Sequence, residues 1–137
     1  MRCQTELRVG FSDTDAAGIT HYARYLAFFE AGRVEALRDV GLAEAESRPQ
    51  RPGLRLVEAH LRYRTPTRFD DQLRVQTWVA ELRQKDVRFA YEIRRQPDDA
   101  IAASGETWHI FVDVGSTRSV PPPAWLWSGL ARLQDGS

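Results

Sequence analysis

The chain has 137 residues, which fits one domain that buries roughly two-thirds of the surface its unfolded form exposes, and its 42% hydrophobic content excludes wholesale disorder. Nineteen basic residues balance 19 acidic ones to a formal net charge of zero, which excludes the basic excess of a general nucleic-acid binder and permits self-association. The single cysteine, Cys3, excludes an internal disulfide, and no apolar run approaches the roughly 20 residues of a membrane helix.

In chain order, the opening MRCQTELRVG lacks the apolar core of a signal peptide, so a cytoplasmic protein with no membrane partner is expected. Leu7, Val9 and Phe11 alternate with polar residues and predict a first strand, which the turn-rich stretch Ser12 to Gly18 ends. From His21 the period changes: Tyr22, Tyr25, Leu26, Phe29, Ala36, Leu37 and Val40 predict a helix of about 20 residues, stopped by Gly41. Glu44 to Gly53 reads as a polar loop. Val57, Ala59, Leu61 and Tyr63 then alternate with charged residues, while Leu54 and Leu56 sit on the other parity, which predicts a bulge near residues 56 and 57. Pro66 ends that strand. Leu73 to Val79 and Val87 to Ile93 are further strands, Pro97-Asp98-Asp99 reads as a hairpin turn, and Trp108, Ile110, Val112 and Val114 predict a last strand. Pro121-Pro122-Pro123 opens a tail with a short helix over Ala124 to Leu133. One long helix and one mainly antiparallel five-stranded sheet make an α+β domain. Trp78, Phe111 and Ala90 fall on the second parity and predict a dimer contact on the sheet. The histidines His21, His60 and His109 lack metal-ligand spacing, so no metal site is expected, and His60 and His109 read as polar-face residues.

The stretch Asp13-Thr14-Asp15-Ala16-Ala17-Gly18-Ile19-Thr20-His21-Tyr22 carries the chemistry. Thr20 is a reasonable N-cap. The first N–H groups of a helix lack internal partners and favour negative charge, so a carbonyl oxygen there is stabilised as it becomes an oxyanion. Gly18 lets the backbone approach a ligand closely. Asp15 lies just before it and faces the same small space, where a carboxylate serves as nucleophile or general base in acyl transfer to water. The same residues also make an ordinary turn, and on local physics both readings stand. Tyr22 and Tyr25 read first as packing residues; Glu30 is either a buried hydrogen-bonded carboxylate or a solvated one.

The stretch Asp13 to Ile19, followed by Tyr22, Tyr25, Glu30, Arg33 and Glu35, resembles the signature of the 4-hydroxybenzoyl-CoA thioesterase family of hotdog-fold proteins. Val57 to Pro66 is similar to that family's second strand, Phe69 to Leu73 to the turn into its third, and the likeness covers about residues 5 to 123. The resemblance implies a long central helix wrapped by a curved antiparallel sheet, a homodimer with sites at the subunit interface, and commonly a homotetramer of two dimers. It implies hydrolysis of an acyl-CoA, aromatic or short-chain, with no cofactor. Carried over, Asp15 is the catalytic carboxylate and the Tyr22 backbone N–H polarises the thioester carbonyl, with Gly18, His21 and Tyr25 near the substrate. The order His21-Tyr22-Ala23 departs from the Tyr-His-Ala of many bacterial members. The segment Glu81 to Asp86 is similar to the turn that meets the CoA phosphates, so Arg83 and Lys85 are implied phosphate contacts and Arg118 a weaker one. A non-catalytic acyl-CoA-binding protein, or a thioesterase acting on an acyl carrier protein, is the alternative.

Overall fold

The computed structural model describes residues 1–42, 53–113, 115 and 118–135. Five strands form one antiparallel sheet in the order β1-β3-β4-β5-β2: β1 is Cys3–Arg8, β2 Gly53–Tyr63, β3 Gln72–Leu82, β4 Asp86–Gln96 and β5 Ala100–Val112. Helix α1 (Arg24–Asp39) packs across β1 and β3, and α2 (Ala124–Arg132) closes the end of β3. This is the α+β arrangement that the periodicities predict. Of the polar loop expected over Glu44 to Gly53, residues 44–52 lie outside the described residues, as does Val114, and Gly53 is not loop but the first residue of β2.

Helix α1 buries Tyr25, Phe28, Phe29, Gly32, Ala36 and Leu37, a stripe at three-and-four spacing. Phe29 is fully buried and stacks on Tyr91 of β4 with ring centroids 4.4 Å apart. Gly32 lets helix and sheet approach closely, since a Cβ there would lie 2.5 Å from Thr77 Oγ1 and 2.8 Å from Val75 Cγ1. Gly41, at φ 79°, ends the helix as expected. Its N–H donates to the Arg38 carbonyl and the Leu42 N–H to that of Leu37, so the last carbonyls are satisfied before the chain turns away.

The start of the helix differs from expectation. Thr20 is not the cap: it is buried, and its hydroxyl meets Thr67, 47 residues on, at the carbonyl (3.1 Å) and at Oγ1 (2.6 Å). The regular helix begins only at Arg24, because His21–Ala23 form a tighter turn in which the Arg24 N–H donates to the His21 carbonyl. Tyr22 and Leu26 are exposed, and Phe28 takes a place in the core instead. Phe11, expected on the first strand, lies in a short 3₁₀ turn (Phe11–Asp13) and is exposed, whereas Val9 is buried. Glu30 is solvated.

Strands β3 and β4 present Leu73, Val75, Thr77 and Val79, and Val87, Phe89, Tyr91 and Ile93, to the helix side, as the alternation predicts. The bulge in β2 falls between Leu56 and Glu58, also as predicted, and residues 97–99 turn β4 into β5. Strand β5 is the correction: Thr107, His109 and Phe111 face the core, and Trp108 and Ile110 face away. Register with β4, where Val87 pairs His109 and Phe89 pairs Thr107, fixes that parity. Phe111 is therefore not on the outer sheet face, where the dimer contact was expected, and His109 is not a polar-face residue. Trp78 is on the outer face, under the Arg2 guanidinium at 3.8 Å. Strand β2 forms an edge of the sheet and is largely exposed, with Leu56 and Val57 each 51% exposed, while Leu54 and Leu61 pack against the core. Among the described residues no helix is long and apolar enough to cross a membrane, and no His, Cys, Asp and Glu cluster suits a metal.

Candidate active site

Residues Thr14 to Thr20 form a tight hairpin. Thr14 bridges Thr20, the Asp15 N–H donates to the Ile19 carbonyl (2.9 Å), and the Gly18 N–H donates back to the Asp15 carbonyl (3.0 Å). Gly18 has φ 81°, a conformation that a side chain resists, so this turn requires glycine. The Asp15 carboxylate is exposed; its Oδ1 accepts the Ala17 N–H at 2.9 Å, which orients the group from within its own loop.

The two acidic residues of the segment do different work. Asp13 is buried, and its carboxylate accepts the Gly10 N–H (2.8 Å) and the Arg24 Nε–H (2.7 Å). Its own carbonyl takes the His21 N–H at 2.8 Å. Asp13 thus bolts the hairpin to the first turn of α1, while Asp15 is left facing a pocket of about 250 Å³ lined also by Thr20, Tyr22, Tyr25, Tyr63 and Pro66.

At the helix start, among the described residues, the Tyr22 N–H meets no acceptor. The Tyr22 side chain is exposed and stacks on His21 with centroids 4.3 Å apart, and His21 Nδ1 accepts the Ala23 N–H at 3.1 Å. Tyr25 is buried, its hydroxyl bonded to Thr67 Oγ1 at 3.0 Å, and its ring meets Tyr63 edge-on at 5.5 Å. Tyr63 donates to the Tyr22 carbonyl at 3.1 Å. Burial, with the neighbouring Tyr22 and Tyr25, raises the Tyr63 phenol above its usual range, so it stays a donor.

Asp15, Gly18, His21, Tyr22 and Tyr25 are therefore brought together. Arg83, Lys85 and Arg118 are not with them. Arg83 and Lys85 sit on the β3–β4 turn, ten residues along β3 from Gln72, roughly 33 Å at an ordinary strand rise. Arg83 Nε lies 3.0 Å from both Glu81 and Asp86. Lys85 and Arg118 share that end, since the Lys85 carbonyl accepts the Phe111 N–H and the Arg118 carbonyl the Asp113 N–H, on either side of the last residue of β5. Asp13, given no role of its own by the sequence, and Tyr63 and Thr67, which sequence reasoning missed, complete the candidate site. Tyr63 and Thr67 reach the helix start only through tertiary pairing, and no local pattern marks them. An exposed carboxylate on Asp15 and an open backbone N–H on Tyr22, two residues that line one small pocket, can support acyl transfer to water.

Comparison with known proteins bears on the family and the fold. A family model described as the thioesterase-like superfamily matches residues 9–130. A putative esterase of Aquifex aeolicus is 32% identical over 114 residues, covering 83% of this chain and 88% of that protein. A 1,4-dihydroxy-2-naphthoyl-CoA hydrolase of Synechococcus is 30% identical over 137 aligned positions, covering 92% and 91% of the two chains. The crystal structure of the hypothetical protein TT1821 from Thermus thermophilus superposes with a TM-score of 0.87 at 29% identity over 98% of each chain.

Proposed function

The chain belongs to the thioesterase-like superfamily and is a thioester hydrolase of hotdog fold, and we propose that it hydrolyses an acyl-CoA thioester in the pocket between Asp15 and Tyr22. The observation that carries this reading is the open Tyr22 N–H at the start of α1, in a pocket that the Asp15 carboxylate also lines. The thioester oxygen accepts that N–H, and charge developing on it is stabilised by the helix start. Asp15 then acts in one of two ways. Its free oxygen attacks the carbonyl carbon, expels the CoA thiolate and forms an anhydride that water opens, or it takes a proton from the water that attacks directly. Either route consumes one water and yields a carboxylic acid and a thiol.

A pocket of about 250 Å³ with Tyr22, Tyr25 and Tyr63 on its wall suits one aromatic ring or a short chain. A homodimer belongs to the same reading. If two copies pair antiparallel along the open β2 edge, the Tyr63 end of one lies beside the Gly53 end of the other. Gly53 pairs Val112, next to the end that carries Lys85 and Arg118. The CoA phosphates would then meet Arg83, Lys85 and Arg118 of the second copy. Two such dimers would make the homotetramer.

Release of free thiol from aromatic, short-chain and long-chain acyl-CoAs, with wild type beside Asp15→Asn, tests the proposal. Asparagine keeps an oxygen for the Ala17 N–H, so the hairpin is retained. Turnover of an aromatic or short-chain member, lost in the variant, is the expected result. Undiminished turnover by Asp15→Asn would overturn it, and CoA binding without turnover would make the chain a binding protein.

A further inference from the structure

We infer that Tyr63 and His21 are positioning residues that hold the Tyr22 N–H aimed into the pocket, an inference that rests on the acyl-CoA hydrolysis reading above. A helix start ordinarily leaves its first N–H groups open to water and free to fray. Here the neighbours are all committed. The His21 N–H goes to the Asp13 carbonyl (2.8 Å), the Ala23 N–H to His21 Nδ1 (3.1 Å), the Arg24 N–H to the His21 carbonyl (2.9 Å) and the Tyr25 N–H to the Tyr22 carbonyl (3.4 Å). Of the N–H groups from His21 to Tyr25, among the described residues, that of Tyr22 alone is left over.

The peptide group that carries it joins His21 to Tyr22. Its carbonyl accepts the Arg24 N–H, which resists rotation of the planar unit about its two flanking bonds, and the next peptide, between Tyr22 and Ala23, anchors it on the other side. That next peptide is gripped at both ends. His21 Nδ1 takes its N–H, and the Tyr63 hydroxyl, from the last residue of β2, donates to its carbonyl at 3.1 Å. The helical bond to the same carbonyl is long, at 3.4 Å, so the phenol is the closer of its two partners. Tyr63 is half exposed, yet it does not swing freely, because its ring rests edge-on against the buried Tyr25. His21 accepts at Nδ1, which assigns its ring proton to Nε2. Neither group need touch the reacting atoms. An oxyanion donor works only when held within about half an ångström of its productive position, and these two side chains supply that restraint.

Steady-state kcat and KM for the best acyl-CoA, with wild type beside Tyr63→Phe, His21→Leu and His21→Asn, test the inference. Amide exchange of Ala23 followed by NMR is the readout independent of turnover. Tyr63→Phe, which removes only the hydroxyl, should lower kcat about fivefold, the worth of one neutral hydrogen bond, with KM within about twofold. His21→Leu should lower kcat at least as much and speed Ala23 exchange. His21→Asn, whose side-chain oxygen can accept the N–H two residues on, should recover most of both losses. An unchanged kcat in Tyr63→Phe and His21→Leu, or a change in KM alone, with Asp15→Asn inactive, would sink the positioning roles and leave the proposed hydrolysis standing. Activity that survives Asp15→Asn, or a wild type that turns over no acyl-CoA, would sink both.

Discussion

The two ends of the sheet are built to different tolerances. At the Asp15 end, the Asp13 carboxylate is bonded to Gly10 and Arg24, the Thr20 and Tyr25 hydroxyls to Thr67, Tyr63 to the Tyr22 carbonyl and His21 to the Ala23 N–H, while the Tyr22 N–H stays open and the Asp15 carboxylate exposed. At the other end, Arg83 shares an exposed turn with Glu81 and Asp86, and Lys85 projects into solvent. The contrast teaches which job each end can do. Bond making needs atoms fixed to fractions of an ångström, whereas attraction between a cation and a phosphate falls off slowly and survives a mobile turn.

The contrast breaks if the rigid end can be disturbed cheaply. Asp15→Asn should lower kcat by roughly 10²- to 10⁴-fold with the melting temperature unchanged, the usual worth of a catalytic acid or base; thiol release and a thermal melt measure both. Near the Lys85 end of the sheet, His109 is 1% exposed, and burial first, then the nearby Arg33 charge, lowers its pKa to about 4 from the usual 6.5. The folded state therefore holds it neutral, while the unfolded chain takes up a proton near pH 6.5. Its contribution is complete above that value and is lost as the pH falls toward 4, by about 3 kcal/mol in total. Urea titrations at pH 7 and 4.5 should show that loss in wild type and a smaller one in His109→Gln.

Asp13→Ala removes the bonds to Gly10 and Arg24 and should cost about 2 kcal/mol of stability, with kcat falling in step; denaturant midpoints and kinetics together read it. The smallest effect belongs to the loose end. Lys85→Ala should raise KM for an acyl-CoA about threefold at unchanged kcat, as expected for an exposed cation. That difference should disappear in high salt, or with an acyl-pantetheine that has no nucleotide.

The periodicity of β3 and β4, the hairpin at Pro97 and the stop at Gly41 are legible because each depends on neighbours in sequence. The face of β5 is not, because apolar residues occupy both parities from Thr107 to Val112 and pairing with β4 chooses between them. Thr20 looks like a cap until Thr67 competes for its hydroxyl. Asp13 and Asp15 are alike locally, and only the reach of Arg24 shows which one is structural. Asp15, Gly18 and Tyr22 could be picked out as a unit because they share one turn. Tyr63 arrives from 41 residues away and could not.

One open amide at the start of α1 also bears on which bond can be cleaved. In the proposed reaction a tetrahedral adduct there would gain a single backbone hydrogen bond, worth about 10²- to 10³-fold in rate by analogy with the loss of one such donor elsewhere. Sulfur conjugates weakly with a carbonyl and departs as a stable anion, so modest help is enough. An amide keeps its resonance and expels a poor leaving group, and one donor falls well short of what its cleavage demands. So frugal a donor set, if it is the one that acts, would favour sulfur esters over peptides before any side chain of the pocket has judged the substrate's shape.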